Sequence, residues 1–444
     1  MQQVFEIIPE TASYTAPSRT TIKRWLQKVG YYKLKRQKTK ADDWIVIIDA
    51  SIQMGDQKCL LFIGIQESKL PKNRALKVDD MVLLGLRVVS SLNSKLITEE
   101  LKKTASSIGT IKCICSDQGS DMVRGIKDFQ MISPKTKHVC DTAHYVANAL
   151  KAILEKNEAW KKFRESTTQS RRKMQNSKIS GALPPSPRTK ARFMNVDSLI
   201  EWASDMLILL DKGVSSPEIN IEELKRYLEW LPNYRTEIHY WNRLVSVGAT
   251  ARQLVREQGM HYDIDYHFEQ AVSGISLGAR ELPYVDKITS FLSIQSREMQ
   301  IGERYVGSTE IIETFFGKLK YTEGEQTAFG FTSLVLAAMA CIGPTNFEIV
   351  KESITSVTEK EINSWTKEEI GESVQSQRMK IKKYVRDLRA VGLDSSSQAT
   401  SKINSSIEKI EKAELLERLK LKPYFAEKME RDFSGILEEK IMGF

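Results

Sequence analysis

Three carboxylates in this 444-residue chain stand where hard-metal chemistry would place them. Asp49 ends the apolar run that starts at Trp44, Asp117 follows the apolar run Ile111 to Cys115, and Glu313 sits in the helical pattern STEIIETFFGK. Hard oxygen donors suit Mg²⁺ or Mn²⁺, which take a few carboxylates and leave other positions to water or substrate phosphate. Two such ions about 3.5–4 Å apart would activate an attacking oxygen and stabilise a leaving one in phosphodiester displacement. A single acid at a strand end can equally be a helix cap or a turn residue, so the argument needs all three. Glu310, about one helical turn before Glu313 and on a similar face, competes for the third place. His144, in the segment CDTAH, can contact a phosphate, orient a ligand, or serve as a structural histidine beside Asp141.

The elements that must position these groups are readable from hydrophobic pattern. Trp44–Asp49 predicts a strand buried on both faces. Lys58–Ile65 predicts its hairpin partner, with Gly55-Asp56 as the turn. Met81–Ser90 reads as a third strand, Ile111–Cys115 as a fourth and Lys137–Cys140 as a short fifth. Helices are expected at Thr98–Ile108 and Ser120–Phe129, with Asp121 capping the second. Three meandering strands followed by helix–strand–helix–strand imply an α/β fold with a mixed five-stranded sheet and flanking helices. Acids at the carboxyl ends of such strands converge on one crevice. Cys113 and Cys115 read as buried thiols, since no second pair completes a zinc set.

After Tyr145 the pattern is helical: Val146–Arg164, Val196–Asp211, Ile221–Trp230, Tyr234–Gln258, Phe268–Val272 and Val285–Glu298. The Pro-, Ser- and basic-rich stretch Gln169–Arg192 reads as a mobile loop. Trp202, Trp230 and Trp241 either pack this helical region or offer a face to an unpaired base, and packing is the commoner use. A helix at Glu303–Tyr321 carries the late acids, followed by an apolar one at Thr332–Cys341. The remaining residues, Ile403–Leu421 among them, read as charged and helical.

Charge is unevenly spread. The formal net charge is +9. Arg19 to Lys40 holds nine basic residues and no acid, and Lys151 to Arg192 nets another +9, leaving about −9 on the rest. Two basic blocks on an acidic body are the footprint of a polyanion ligand. In the first block, Ser18–Val29 predicts a short helix capped by Ser18 and ended by Gly30, with Arg19, Lys23, Arg24 and Lys28 off its apolar face. It resembles the recognition helix of a helix-turn-helix unit. Arg171, Arg172 and Lys173 are the candidate contacts of the second block. Five cysteines fit a reducing compartment, no apolar run reaches membrane length, and the first residues show no secretory signal. Neither a Gly-rich phosphate loop nor a nucleophile elbow is present, which argues against an ordinary metabolic enzyme.

The strand order, with Asp49 on the first strand and Asp117 in SDQGSD on the fourth, resembles the RNase H-like core of DDE transposases. Gly307-Ser308-Thr309-Glu310-Ile311-Ile312-Glu313, followed by Phe315-Phe316-Gly317-Lys318, is similar to the helix bearing the final Glu in bacterial insertion-sequence enzymes. The 196 residues separating Asp117 from Glu313 resemble the branch with a large helical insertion. Cys140-Asp141-Thr142-Ala143-His144 resembles the Cys/Asp-x-x-His motif of hAT- and Mutator-like transposases. The resemblance implies an RNase H-like core split between residues 43–150 and 303–345. An all-α insertion at 151–302, a basic DNA-binding segment at 1–42 and a helical C-terminal region at 346–444 complete it. It also implies Asp49, Asp117 and Glu313 as ligands of Mg²⁺ or Mn²⁺, with His144 near the scissile phosphate. The implied partners are double-stranded DNA, as transposon ends and target, and a second copy in the DNA complex, in the nucleoid-associated cytoplasm of a bacterium. The rival readings are a non-catalytic DNA-binding descendant and a structure-selective nuclease on the same core.

Overall fold

The computed structural model describes residues 16–54, 57–72, 74–186, 196–213, 220–324, 331–371 and 374–392. In chain order, helix α1 (Arg19–Lys35) precedes strands β1 (Ala41–Met54), β2 (Gln57–Gln66) and β3 (Val82–Val89). Then come α2 (Ser94–Ile108), β4 (Gly109–Ser116), α3 (Ser120–Gln130), β5 (Lys137–Cys140) and α4 (Thr142–Lys156). The helices α5 (Glu158–Met174), α6 (Val196–Lys212), α7 (Ile221–Leu228), α8 (Arg235–Gln258), α9 (Ile264–Ser273) and α10 (Leu282–Ser296) occupy the stretch expected as the insertion. The last described elements are α11 (Glu310–Gly324), α12 (Leu334–Met339), α13 (Phe347–Ser356), α14 (Glu359–Glu369) and α15 (Val374–Gly392). Among the described residues, no helix is long and apolar enough to cross a membrane.

The sheet runs β3-β2-β1-β4-β5. The β1–β2 and β2–β3 pairs are antiparallel, and β1–β4 and β4–β5 are parallel. This is the expected mixed five-stranded sheet of the α/β class with flanking helices. Successive side chains alternate between its faces. Trp44, Val46 and Ile48 join Leu60 and Phe62 under α2 and α3, through Ile97, Leu101, Met122 and Ile126. Ile45 and Ile47 join Cys59, Cys113, Cys115 and Val139 on the opposite face, whose core is continuous with α4, α11, α12 and the insertion. The cysteines of β4 are buried free thiols, as their alternation predicts.

Several boundaries differ from the sequence expectation. Gly30 does not end α1. It is the closest approach of that helix to α12, where an added Cβ would lie 1.8 Å from the Leu336 carbonyl oxygen. The helix instead runs to Lys35, and the buried Lys38 ammonium caps it by donating to the carbonyls of Lys33, Leu34 and Arg36. The expected helix Val146–Arg164 is two helices. Asn157 breaks it, its amide closing α4 on Leu154 and its side chain accepting the Trp160 amide at 2.9 Å to start α5. That helix continues to Met174, so the first residues of the expected loop at Gln169–Arg192 are helical. Residues 303–309 are extended rather than helical, and Tyr305 forms a β-bridge with Met260. Asp121 does not cap α3. Gly119 occupies the cap position and Asp121 lies exposed in the first turn. The expected turn Gly55-Asp56 and the helical reading of Ile403–Leu421 fall outside the described residues.

The insertion packs around aromatic side chains. Trp160, Phe163, Trp230, Tyr234 and Trp241 are in mutual ring contact, with Trp160 edge-on to Trp241 at 4.9 Å. Trp202 is buried and donates to the Ala182 carbonyl at 2.9 Å. All three singled-out tryptophans therefore pack the helical core.

Candidate active site

Asp49 and Asp117 emerge side by side. The parallel β1–β4 ladder ends at the pair Ile48↔Ser116, so the next residue on each strand is one of the two acids. Parallel neighbours are about 4.8 Å apart across the ladder. Asp49 shares the parity of Ile45 and Ile47, and Asp117 continues the row of Cys113 and Cys115, so both belong to the face that carries α4 and α11. A β-bulge between Asp49 and Ile52 adds one residue to β1 opposite β2. Bulges of this kind re-aim the side chains beside them. Asp49 is 2% exposed and accepts the Ala50 amide at 2.7 Å, while Asp117 is half-buried and accepts the Gly119 amide at 3.1 Å.

Asp141 completes an acidic edge. Val139 faces the same core, and the Asp141 amide donates to the Ser116 carbonyl at 2.8 Å, which holds the end of β5 against the end of β4. Its carboxylate caps α4 by accepting the amides of Ala143 at 2.8 Å and His144 at 3.2 Å. The field of these acids registers on the neighbouring thiols. Burial, then Asp141 and Asp49 among others, pushes Cys115 well up. Cys140 is raised by burial first, with Asp141 and Asp117 adding to it. Negative potential at the edge of a sheet is what a cation site needs.

The extended segment before α11 carries Glu313 to that edge. At its start Glu303 pairs with Lys137 of β5 and lies 3.7 Å from Lys112 of β4. Burial opposes Glu303 ionisation, but bonds from the Gln300 amide and Lys137 outweigh it and hold its pKa at about 2. Further on, the Thr142 amide donates to the Gly307 carbonyl at 2.9 Å, and the Thr309 hydroxyl donates to Asp141 at 2.5 Å. The chain thus climbs along β5 and enters α11 at the carboxyl edge, where the helix packs against β1. Glu310 and Glu313 both lie in the first turn of α11. The positive helix end favours acids there and does not discriminate between them.

Glu310 and Glu313 also face a cleft of about 580 Å³, together with Arg74, Lys77, Arg256 and Arg304. Asp49 and Asp117 do not line it. Two of its guanidiniums are already engaged. Arg304 donates to the Gln258, Pro71 and Glu257 carbonyls, and Arg74 pairs with Asp80 at 2.6 Å. Asp49, Asp117 and Glu313 do not bring their oxygens all within 4.8 Å of one another. In donor chemistry the set fits a hard divalent ion, since all three are carboxylates and two sit just beyond the end of the β1–β4 ladder, Asp49 inside β1, which runs past its expected end there, and Asp117 after β4.

The basic residues divide by burial. Arg19 and Arg24 are exposed on α1, Lys23 is half-exposed, and Lys28 donates to the Ile354 carbonyl at 3.2 Å. Lys33 points inward, its ammonium capping the end of α12 through the carbonyls of Ala340, Ile342 and Gly343 and the Thr345 hydroxyl. Burial, with Arg36 adding to it, lowers Lys33 and Lys38 to about 8. Part of the first basic block is therefore internal scaffolding. In the second block Arg171 turns inward to the Pro184 carbonyl, whereas Arg172 and Lys173 are exposed in the last turn of α5.

Sequence reasoning missed Thr309, the Glu303–Lys137 pair and His138. The His138 ring lies 2.9 Å from the Ser116 hydroxyl, directly behind Asp117. Burial, then Lys127, lowers its pKa to about 4. Only Asp141 carried a local signal, an acid directly before a helical run.

No family model matches the chain, and no curated protein matches it. Among solved structures it is similar to the Drosophila P element transposase strand transfer complex, with 14% identity and a TM-score of 0.34 over 78% of this chain and 86% of that one. At that identity and score the likeness fixes neither family nor activity.

Proposed function

We propose that the chain is a DDE-type DNA transposase that cuts at transposon ends and joins them to target DNA. The observation that carries this reading is the register of Asp49 and Asp117 just beyond the end of the β1–β4 ladder, on the sheet face whose core includes α11, the helix that carries Glu313. Asp49, Asp117 and Glu313 would hold Mg²⁺ or Mn²⁺, which supplies charge neutralisation at the reacting phosphate and an activated oxygen nucleophile. The protein's own part is positioning. Asp141 and Thr309 fix the entry of α11, and the Ser116 hydroxyl, in contact with His138 and with the Asp117 carbonyl, supports the Asp117 turn. His144, in the first turn of α4, would meet a backbone phosphate. Arg19, Lys23 and Arg24 on α1 would grip one DNA segment and Arg172 and Lys173 on α5 another, with water as the first nucleophile and a 3′-hydroxyl as the second. A second copy would bring the other transposon end.

Asp49→Asn, Asp117→Asn and Glu313→Gln, each assayed for Mg²⁺-dependent cleavage of a cognate end, test the proposal. Each is expected to lose cleavage while still binding DNA. Full cleavage by Asp49→Asn would end this reading, and cleavage without strand transfer by the unaltered protein would favour the nuclease.

A further inference from the structure

Away from the strand acids, the turn between α8 and α9 gathers two imidazoles and a carboxylate in the segment His261-Tyr-Asp-Ile-Asp-Tyr-His267. His261 Nδ1 lies 2.6 Å from Asp263 Oδ1, and His267 Nε2 lies 3.7 Å from Asp263 Oδ2. Among the described residues, this is the set of three metal-ligating side chains whose ligand atoms all fall within 4.8 Å of one another. The two opposite ring nitrogens share one acceptor. Gln258 Oε1 is 3.2 Å from His261 Nε2 and 2.9 Å from His267 Nδ1.

That sharing decides the tautomers. A carbonyl oxygen only accepts, so His261 Nε2 and His267 Nδ1 carry their protons. In neutral rings the remaining nitrogens, His261 Nδ1 and His267 Nε2, then turn lone pairs toward the Asp263 carboxylate. Lone pairs and an anion held this close repel unless positive charge lies between them, as a second ring proton or as a metal ion. Metal-bound histidines characteristically donate their far N–H to a carbonyl or carboxylate, which is the role Gln258 plays here.

We propose that His261, Asp263 and His267 bind a borderline-soft divalent cation, best matched by Zn²⁺, with Gln258 orienting both imidazoles from behind. Imidazole donors suit zinc and other later transition metals rather than Mg²⁺. Bonds of about 2.0–2.2 Å place tetrahedral ligand atoms roughly 3.3 Å apart, and the three ligand atoms here lie within 4.8 Å of one another, so closure on an ion needs shifts of at most about 1.5 Å. Asp263 and His267 are 30% and 40% exposed, which leaves an approach from solvent and room for a water as fourth ligand. The site would be a clip. Gln258 is the last residue of α8 and Asp263 directly precedes α9. Between them Met260 pairs with Tyr305, the residue that leads the chain toward Glu313. A bound ion would therefore fasten the wall of the cleft that holds Glu310 and Glu313. The inference goes beyond the proposed activity and does not depend on it.

The test uses the full chain, stripped with a chelator and titrated with Zn²⁺ by calorimetry in excess Mg²⁺, with Co²⁺ absorption reporting tetrahedral coordination. One equivalent bound with a raised Tm is expected, and at least tenfold weaker binding in His261→Ala and His267→Ala. Gln258→Leu should weaken binding about tenfold by freeing the rings. Because His267 is the most exposed of the three, His267→Ala keeps the test valid if His261→Ala misfolds. Absence of Zn²⁺ binding by the unaltered chain would overturn the proposal, as would unchanged affinity in His267→Ala with circular dichroism showing a folded protein. Neither readout involves DNA, so the outcome is separable from the fate of the transposase reading.

Discussion

Thr309 donates its hydroxyl to the buried carboxylate of Asp141 across 2.5 Å, joining residues 168 positions apart. Asp141 simultaneously caps α4 and is bound through its amide to the end of β4. One carboxylate thus locks the sheet edge, the His144 helix and the Glu313 helix together. Thr309→Val preserves shape and removes only this charge-assisted bond. It should lower stability by about 1.5–3 kcal/mol in urea denaturation. It should also reduce Mg²⁺-dependent cleavage at least tenfold while every acid remains, because misplacing a group by about an ångström is costly to catalysis.

Glu310 and Glu313 occupy the same first turn of α11. With Glu313 as ligand, Glu313→Gln should lower single-turnover cleavage by at least a hundredfold, and Glu310→Gln should change it by less than fivefold. The reverse order in the same assay would transfer the third position to Glu310.

Gly30 admits no side chain, since a Cβ would overlap the Leu336 carbonyl. Gly30→Ala should destabilise the protein by about 1–3 kcal/mol, as overpacking does, even though alanine favours a helix. A stabilised variant in thermal denaturation would mean that α1 and α12 are not in contact.

His138 is held near 4 in the folded chain against about 6.5 when unfolded. Between those values the unfolded state binds a proton that the folded state does not, so stability falls as pH drops through the window. The slope attributable to this residue is at most about 1.4 kcal/mol per pH unit. His138→Gln can keep a bond to Ser116 and should flatten the stability–pH profile from 6.5 to 4, as followed by urea denaturation.

Arg172 and Lys173 are exposed, whereas Lys33 is buried among carbonyls. Replacing Arg172 and Lys173 with Ala should weaken DNA binding and lower the salt slope of log K by about one per lost phosphate contact. Lys33→Met should reduce stability and leave that slope unchanged. Fluorescence anisotropy across a salt series separates the two cases.

The sequence by itself determined what is local. The apolar runs from Trp44 and Ile111 specify strands and set Asp117 just past the end of β4, but β1 runs on beyond the expected end at Asp49 to Met54, because its later residues keep pairing with β2. The strands themselves follow from side-chain periodicity within a few residues, which needs no knowledge of distant contacts. What joins Glu313 to that edge is not local. The Glu303–Lys137 pair, the Gly307–Thr142 bond and the Thr309–Asp141 bond each link segments more than 160 residues apart. No periodicity encodes them, and the pattern at 303–309 read as helix for that reason. The sorting of the basic residues was likewise tertiary. Lys33 and Arg24 look alike in sequence, and only the packing of α1 against α12 and α13 buries one and exposes the other. The same holds for His261, Asp263 and His267, whose spacing is unremarkable until the turn between α8 and α9 directs them, with Gln258, at one point.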